Sequence, residues 1–215
     1  MITFNLSRFQ SGILFFILLV STAIVLSCNT SSRALPYLGE SEIIDGKTIP
    51  YTIPPFTFVN QHGDSISDET VKNKVYITDF FFTHCPTICP KMAQQMLRLH
   101  EKYKDREGVL LLSHSIDSKY DTVATLKRYA EKLGVVESKV WHFLHVPADQ
   151  LTFRAKSYLT AVEKDSTESV GFTHSGHFIL VDRERHIRSF CDGTKPEEVN
   201  KLMKDIDHLL NEKAN

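Results

Sequence analysis

Cys85 and Cys89 stand with three residues between them in "THCPTICPKM", each followed by a proline, at the end of a run of large apolar residues. A cysteine pair at this spacing can close a structural disulfide, exchange electrons with a partner's disulfide, or capture a soft metal ion as thiolates. Closing so short a loop removes little chain entropy, so a purely structural bridge gains little. On a helical first turn the i, i+4 separation puts both side chains on one face, and a loosened turn lets both sulfurs converge on one external point. A helix start lowers thiol pKa, which favours the form that binds metal or attacks a disulfide. Pro86 and Pro90 stiffen the turn and reduce its backbone donors.

Two thiolates need at least one more ligand to hold a metal, and the chain offers ten histidines. His84 adjoins Cys85 but points to the opposite side if the strand persists through it. His100 and His208 fall on helical segments among polar neighbours, His142 and His145 flank a short strand, and His177 falls within another. His174, in "GFTHSGHFILVD", is read as lying in the loop before that strand, where a side chain is free to swing toward the cysteines. Pattern alone leaves the third ligand open.

The elements that must position these groups are legible as periodicities. "IIDGKTIPYTIPPFTFVNQHGDSIS" alternates apolar and polar residues and is broken at Asp45-Gly46 and His62-Gly63, which predicts a pair of hairpins. "KVYITDFFF" is nearly continuous β-branched and aromatic, as a strand buried on both faces should be. Beyond it Met92, Met96, Leu99 and Tyr103 share one face of a helix, where the methionines read as core rather than as copper ligands. "GVLLLSHSID" is a second buried strand. A helix begins at Asp121, the candidate cap, and ends at Gly134. "WHFLHV" is a strand, "ADQLTFRAKSYL" a helix, and "SGHFILVDRERHIRSF" two strands joined by a turn at Asp182–Arg185. "KPEEVNKLMKDIDHLL" closes the chain as a helix with proline at its start. Strands alternating with helices give an α/β fold, a mixed sheet covered on both faces. The cysteines then sit at the carboxyl edge of its first central strand, where open α/β sheets place their ligands.

The 215 residues are 42% hydrophobic and 24% charged with a formal net charge of −1, which gives no reason to expect a nucleic-acid partner. Residues 1–28 stand apart. Arg8 precedes an apolar stretch from Gly12 to Leu26, too short for a comfortable membrane span and fitting a signal peptide. It ends in Val25-Leu26-Ser27-Cys28, which resembles a bacterial lipobox, so Cys28 is the expected lipidation site; an uncleaved anchor helix is the alternative. Either way the folded part lies outside the cytoplasm, on the periplasmic side, tethered to a membrane. Residues 29–37 read as the tether and 38–212 as a single domain. Of the three remaining cysteines, Cys191 reads as a buried small hydrophobe, with a resolving or metal role as the alternative.

"FFFTHCPTICPKM", "SHSIDSKYDTVATLKRYAEKLG" and "GFTHSGHFILVD", in this order and spacing, resemble the Sco/SenC family, membrane-tethered copper proteins of cytochrome c oxidase assembly. The resemblance covers nearly the whole exported domain and implies a thioredoxin-like fold with an added N-terminal β-hairpin. It implies a copper site made of Cys85, Cys89 and His174, and it matches Asp117 and Asp121 to an acidic loop near the metal, with outer-sphere or partner-docking roles. Two places depart from the family pattern: His145-Val146-Pro147, where a threonine and a glycine are usual, and Cys191, where an aromatic residue is usual. Neither touches the implied ligands.

Thiolates suit Cu(I) and imidazole suits either copper state, so two sulfurs and one nitrogen make a three-coordinate Cu(I) site that can also hold Cu(II). A structural zinc site would want a fourth protein ligand. The expected function is a metallochaperone that delivers copper to a copper-bearing oxidase subunit, or prepares that site. The alternative is an extracytoplasmic thiol–disulfide oxidoreductase using Cys85 and Cys89 as its redox pair, without an obvious need for His174. The placement of threonine and cysteine does not match a peroxidase site of the peroxiredoxin kind.

Overall fold

The computed structural model describes residues 34–164 and 172–212, with 163–164 and 172–174 described by backbone alone. The segment carrying Cys28 and most of the tether lie outside the described residues. The frame is a seven-stranded mixed sheet in the order β11-β10-β5-β6-β7-β3-β4. At its centre β5 (Val75–Phe81) and β6 (Val109–Ser115) run parallel, from Val75 opposite Val109 to Phe81 opposite Ser115, and every residue of both is buried. Continuous apolar runs are what strands covered on both faces require. Strand β7 (Trp141–His145) extends the parallel set; β10 (His177–Val181) and β11 (Ile187–Asp192) add antiparallel beyond β5. Strands β3 (Thr57–Val59) and β4 (Ser65–Ser67) form the hairpin expected at His62-Gly63 and close the other edge.

Strands β1 (Glu42–Ile44) and β2 (Lys47–Ile49) form a separate two-stranded ribbon. Asp45 and Gly46 turn it with φ of 51° and 73°, both in the left-handed region that a two-residue hairpin loop of this hand needs. This is the added N-terminal hairpin implied by the resemblance.

Helix α1 (Asp68–Val71) is a single short turn that the periodicity does not reveal. Helices α2 (Cys89–Tyr103) and α3 (Val123–Lys132) cover the sheet face that carries Asp79 and Phe81, with the rings of Phe81 and Tyr129 5.4 Å apart. Helix α5 (Pro196–Asn211) packs on α2, where the Tyr103 hydroxyl donates to Met203 O and Asp207 Oδ1. Helix α4 (Ala148–Ser157) covers the other face and ends at Tyr158, beside Phe80 and the fully buried His114.

Three expectations need correction. Cys85 is not on a helical turn with Cys89: α2 begins at Cys89, and Cys85 lies in the preceding bend. Pro86 disfavours the helical conformation for the residue before it, so the turn opens. Helix α3 begins at Val123 with Thr122 as its cap, the Thr122 hydroxyl oxygen accepting from Thr125 N at 3.3 Å; Asp121 bonds elsewhere. His174 is the last residue of β9 (Phe172–His174), which pairs antiparallel with β8 (Val162–Lys164), and is not in a loop.

Candidate metal centre

Strand β5 ends at Phe81 because the chain turns at Thr83-His84, and Cys85 N–H donates back to Phe82 O at 3.3 Å. This returns Cys85 to the mouth of the strand, over the first turn of α2, where Cys89 sits. The described cysteines are present as thiols; Cys85 Sγ lies 3.6 Å from Thr87 Oγ1, and the Cys85 and Cys89 side chains interact electrostatically. The two are electrostatically unequal. Burial pushes the Cys85 thiol up, but hydrogen bonds from the Cys89 side chain and backbone and from Thr87 outweigh it and hold its pKa below the ordinary thiol value. Cys89, deeper in the fold, is pushed well up by burial first and then by donating its hydrogen bond to Cys85. Of the two thiols Cys85 is thus the more easily ionised.

A groove of about 290 Å³ opens beside the pair between α2 and α3, lined by Phe82, Leu97, Tyr129 and Lys132. Beneath Cys89 a cavity of only about 10 Å³ is shared with Asp79, Ser113, Tyr129 and Trp141. Burial pushes the Asp79 carboxyl up to about 7 despite a hydrogen bond from Ser113, and Asp79 Oδ1 is buried without a hydrogen-bond partner. Sequence reasoning passed over Asp79, although a lone carboxylate inside the apolar run "VYITDFFF" is the signal that could have found it.

Asp121 is fully buried and holds the bend from behind: its carboxylate accepts from Thr83 N at 3.0 Å, Thr83 Oγ1 at 2.5 Å and Ser115 Oγ at 2.7 Å. Asp117 lies at the rim, with Oδ2 3.7 Å from His84 Nε2. The His84 ring packs on Tyr120 at 4.3 Å and on Phe82 at 5.0 Å. His84 therefore belongs to the rim of the site. Cys191 is buried on β11, its thiol pushed up to about 12 by burial, as a small core residue would be.

The backbone after His174 returns to the cysteines. A methyl group built on Gly176 would make ordinary contact with the start of α2, 3.5 Å from Ile88 Cδ1 and 3.7 Å from Met92 Sδ. Gly193 N donates to Gly176 O at 2.7 Å and fixes this approach. His174 is two residues away, on backbone that converges on the start of α2. Among the described residues no three His, Cys, Asp or Glu side chains form a ready metal cluster.

A mixed sheet with a cysteine pair at the carboxyl edge of its first central strand, before a helix, defines a thioredoxin-like protein of the dithiol kind. The chain belongs to the SCO1/SenC family, whose model matches residues 46–211. It is similar to the SCO1 protein homolog of Bacillus subtilis, 31% identical over 159 residues, which cover 73% of this chain and 81% of that one. Among solved structures it resembles a SCO1/SenC family lipoprotein from Bacillus anthracis, with a TM-score of 0.67 and 25% identity over 75% of this chain and 96% of the other. It also resembles BsSco, described as a member of the Sco family of cytochrome c oxidase assembly proteins and as carrying a disulfide switch, with a TM-score of 0.66 and 29% identity over 76% and 95% of the two chains. The fold is shared with copper-bound ScoI of Arabidopsis thaliana, with a TM-score of 0.61 and 22% identity over 74% of this chain and 98% of that one.

Proposed function

We propose that this protein is a copper metallochaperone of cytochrome c oxidase assembly, holding copper through Cys85 Sγ, Cys89 Sγ and His174. The observation that carries the reading is the interacting pair of unoxidised thiols at the strand mouth, two soft donors of which Cys85 is the more easily ionised. Copper is cargo here. Its capture as Cu(I) releases the thiol protons, and imidazole from His174 completes three-coordination while leaving room for an incoming donor. The approach of Gly176 to Ile88 and Met92 brings the chain two residues beyond His174 to the start of α2, which supports His174 as the third ligand. The rim formed by His84, Asp117 and the half-exposed Tyr120 is the surface that the copper-bearing oxidase subunit meets, with Asp117 as its docking charge. Asp121 acts behind the site by fixing the bend. Attachment to the outer face of a membrane through acylated Cys28 places the domain near such a partner; among the described residues no helix is long and apolar enough to cross a membrane.

The inequality of the two thiols favours a second reading, reduction of a partner's disulfide. The Cys85 thiolate attacks one sulfur of that disulfide, releasing the other as a thiolate and leaving a mixed disulfide. Cys89 then gives up its proton and attacks Cys85, releasing the partner's second thiolate. Two electrons pass to the partner, and the Cys85–Cys89 disulfide remains.

The deciding experiment titrates reduced full-length protein in detergent with Cu(I) against a competing chelator, beside His174→Ala and Cys85→Ser. One-to-one binding weakened by at least about tenfold in both variants supports the chaperone. Binding indifferent to His174, with a readily reduced Cys85–Cys89 disulfide, moves the assignment to the oxidoreductase.

A further inference from the structure

The β1–β2 ribbon has no interior. All six paired residues are exposed, with Ile43 at 79%, Ile44 at 51% and Ile49 at 41%. Together with the half-exposed Tyr37 these make four of the nine large exposed hydrophobic residues among those described, gathered between residues 37 and 49. The register puts Ile44 and Ile49 on one side of the ribbon and Ile43 on the other. A two-stranded ribbon is marginal in water by itself, so apolar side chains displayed on one call for a covering surface.

The ribbon's place in the fold limits what that surface can be. Arg188, itself 4% exposed, bolts the chain at its entry: Nη2 donates to Leu35 O at 2.7 Å, Nε donates to Pro36 O at 3.2 Å, and the guanidinium lies 4.4 Å from the centre of the Tyr37 ring. Leu38 N donates to Ile187 O and Ile53 N to Arg185 O, so both ends of the ribbon segment are tied to the turn between β10 and β11. Val181, at the end of β10, pairs with Tyr76 at the start of β5. The turn, the bolt and the ribbon are therefore at the end of the sheet opposite Cys85. Seven residue steps separate Cys28 from the bolted Leu35, a reach of at most about 25 Å.

We propose that the ribbon and Tyr37 rest on the lipid bilayer to which Cys28 is attached, and so orient the domain with its thiol pair facing away from the membrane. This rests on the reading of Cys28 as acylated. The short reach keeps the ribbon permanently close to lipid, so modest apolar insertion suffices. The charged residues of the segment 37–49 are Glu40, Glu42, Asp45 and Lys47, net negative, so the ribbon itself offers anionic headgroups no net attraction. The seven residues of β5 set the height of the copper-binding edge at about 20 Å above the ribbon end, where a partner held in the same membrane can present its own site.

The test uses full-length acylated protein in phosphatidylcholine vesicles carrying Ile44→Trp, with Ile49→Trp as a second position; the native Trp141 is buried and serves as background. Lipids brominated near the headgroup should quench the introduced indole by at least about twofold and shift its emission to the blue. Adding phosphatidylglycerol should change neither effect. A water-like emission, quenched by iodide in vesicles that carry the protein on flotation, overturns the proposal while leaving the anchor intact. A blue shift without bromine quenching that grows with protein density assigns the ribbon to a second copy and also overturns it. Failure of the protein to float with the vesicles removes the anchor reading, and the proposal with it.

Discussion

Asp121 reaches from the residue before the α3 cap to Thr83 and accepts from both its N–H and its hydroxyl, while the same carboxylate takes the Ser115 hydroxyl. One buried side chain thus ties the end of β5, the end of β6 and the start of α3 into a fixed frame for Cys85. Replacing it by alanine leaves three donors unsatisfied in a closed space. Asp121→Ala should cost about 2–4 kcal/mol in urea unfolding. It should also weaken Cu(I) binding although no ligand is lost, because Cys85 then pays to be ordered. Wild-type affinity in a stably folded Asp121→Ala protein would refute the positioning role.

The two cysteines should differ in reactivity. Cys85 is held below the ordinary thiol pKa by bonds from Cys89 and Thr87, whereas Cys89 is pushed well above it by burial and by its bond to Cys85. Iodoacetamide at neutral pH should therefore label Cys85 at least about tenfold faster than Cys89 in the reduced protein, counted by mass spectrometry. In Cys89→Ala the midpoint of Cys85 labelling should move to higher pH. Equal labelling of the two would overturn this ordering of the thiols.

The parts of this protein that were legible in its sequence are those set by local chemistry. The continuous apolar runs around Ile77 and Leu111 mark the buried central strands, Asp45-Gly46 marks its hairpin, and Gly134, at φ 74°, marks the end of α3. What escaped depends on groups distant in sequence. Asp121 sits where a helix cap belongs, yet its partners are Thr83 and Ser115, which only the folded sheet brings to it. Strands β8 and β9 are three residues each, too short for alternation to register. The cysteine spacing suggested a shared helical face, whereas Pro86 opens the turn and leaves Cys85 in the chain before the helix, with both thiols buried.

Opposite pH dependences are built into the two faces of the sheet. Burial raises the Asp79 carboxyl from 3.8 to about 7, so the folded state favours its protonated form. Its contribution to stability is full below pH 3.8 and is lost as pH rises through about 7. Burial, with Arg154 nearby, lowers His114 from 6.5 to about 3, so the fold favours neutral imidazole. That contribution is full above pH 6.5 and is lost as pH falls through about 3. Each amounts to roughly 4–5 kcal/mol, and their pH slopes nearly cancel between pH 4 and 6.5. The groups facing Asp79 are Cys89, Ser113, Tyr129 and Trp141; those facing His114 are Thr78, Tyr158 and Arg154. In Asp79→Asn, unfolding stability should rise with pH across this window, and in His114→Gln it should fall. Identical slopes in both variants, measured by urea unfolding of reduced, metal-free protein, would show that neither group titrates as its burial requires.

Arg188 joins both termini of the domain to one strand. It pairs with Asp182 at 2.9 Å and Glu212 at 3.4 Å while holding the carbonyls of Leu35 and Pro36. Removing the guanidinium leaves the Asp182 carboxylate buried beside uncapped carbonyls, which is the costly way to break such a pair. Arg188→Leu should lose about 3 kcal/mol of stability, and proteolysis of the native protein should begin between residues 34 and 38. The cysteine pair lies at the far end of β5, so Cu(I) affinity in the folded fraction should be unchanged. Arg188→Lys restores charge without the forked donors and should recover only part of the stability, since one ammonium cannot reach Asp182, Leu35 and Pro36 together. Full recovery by lysine would mean that charge neutralisation, rather than the bolt on the entering chain, is what Arg188 supplies.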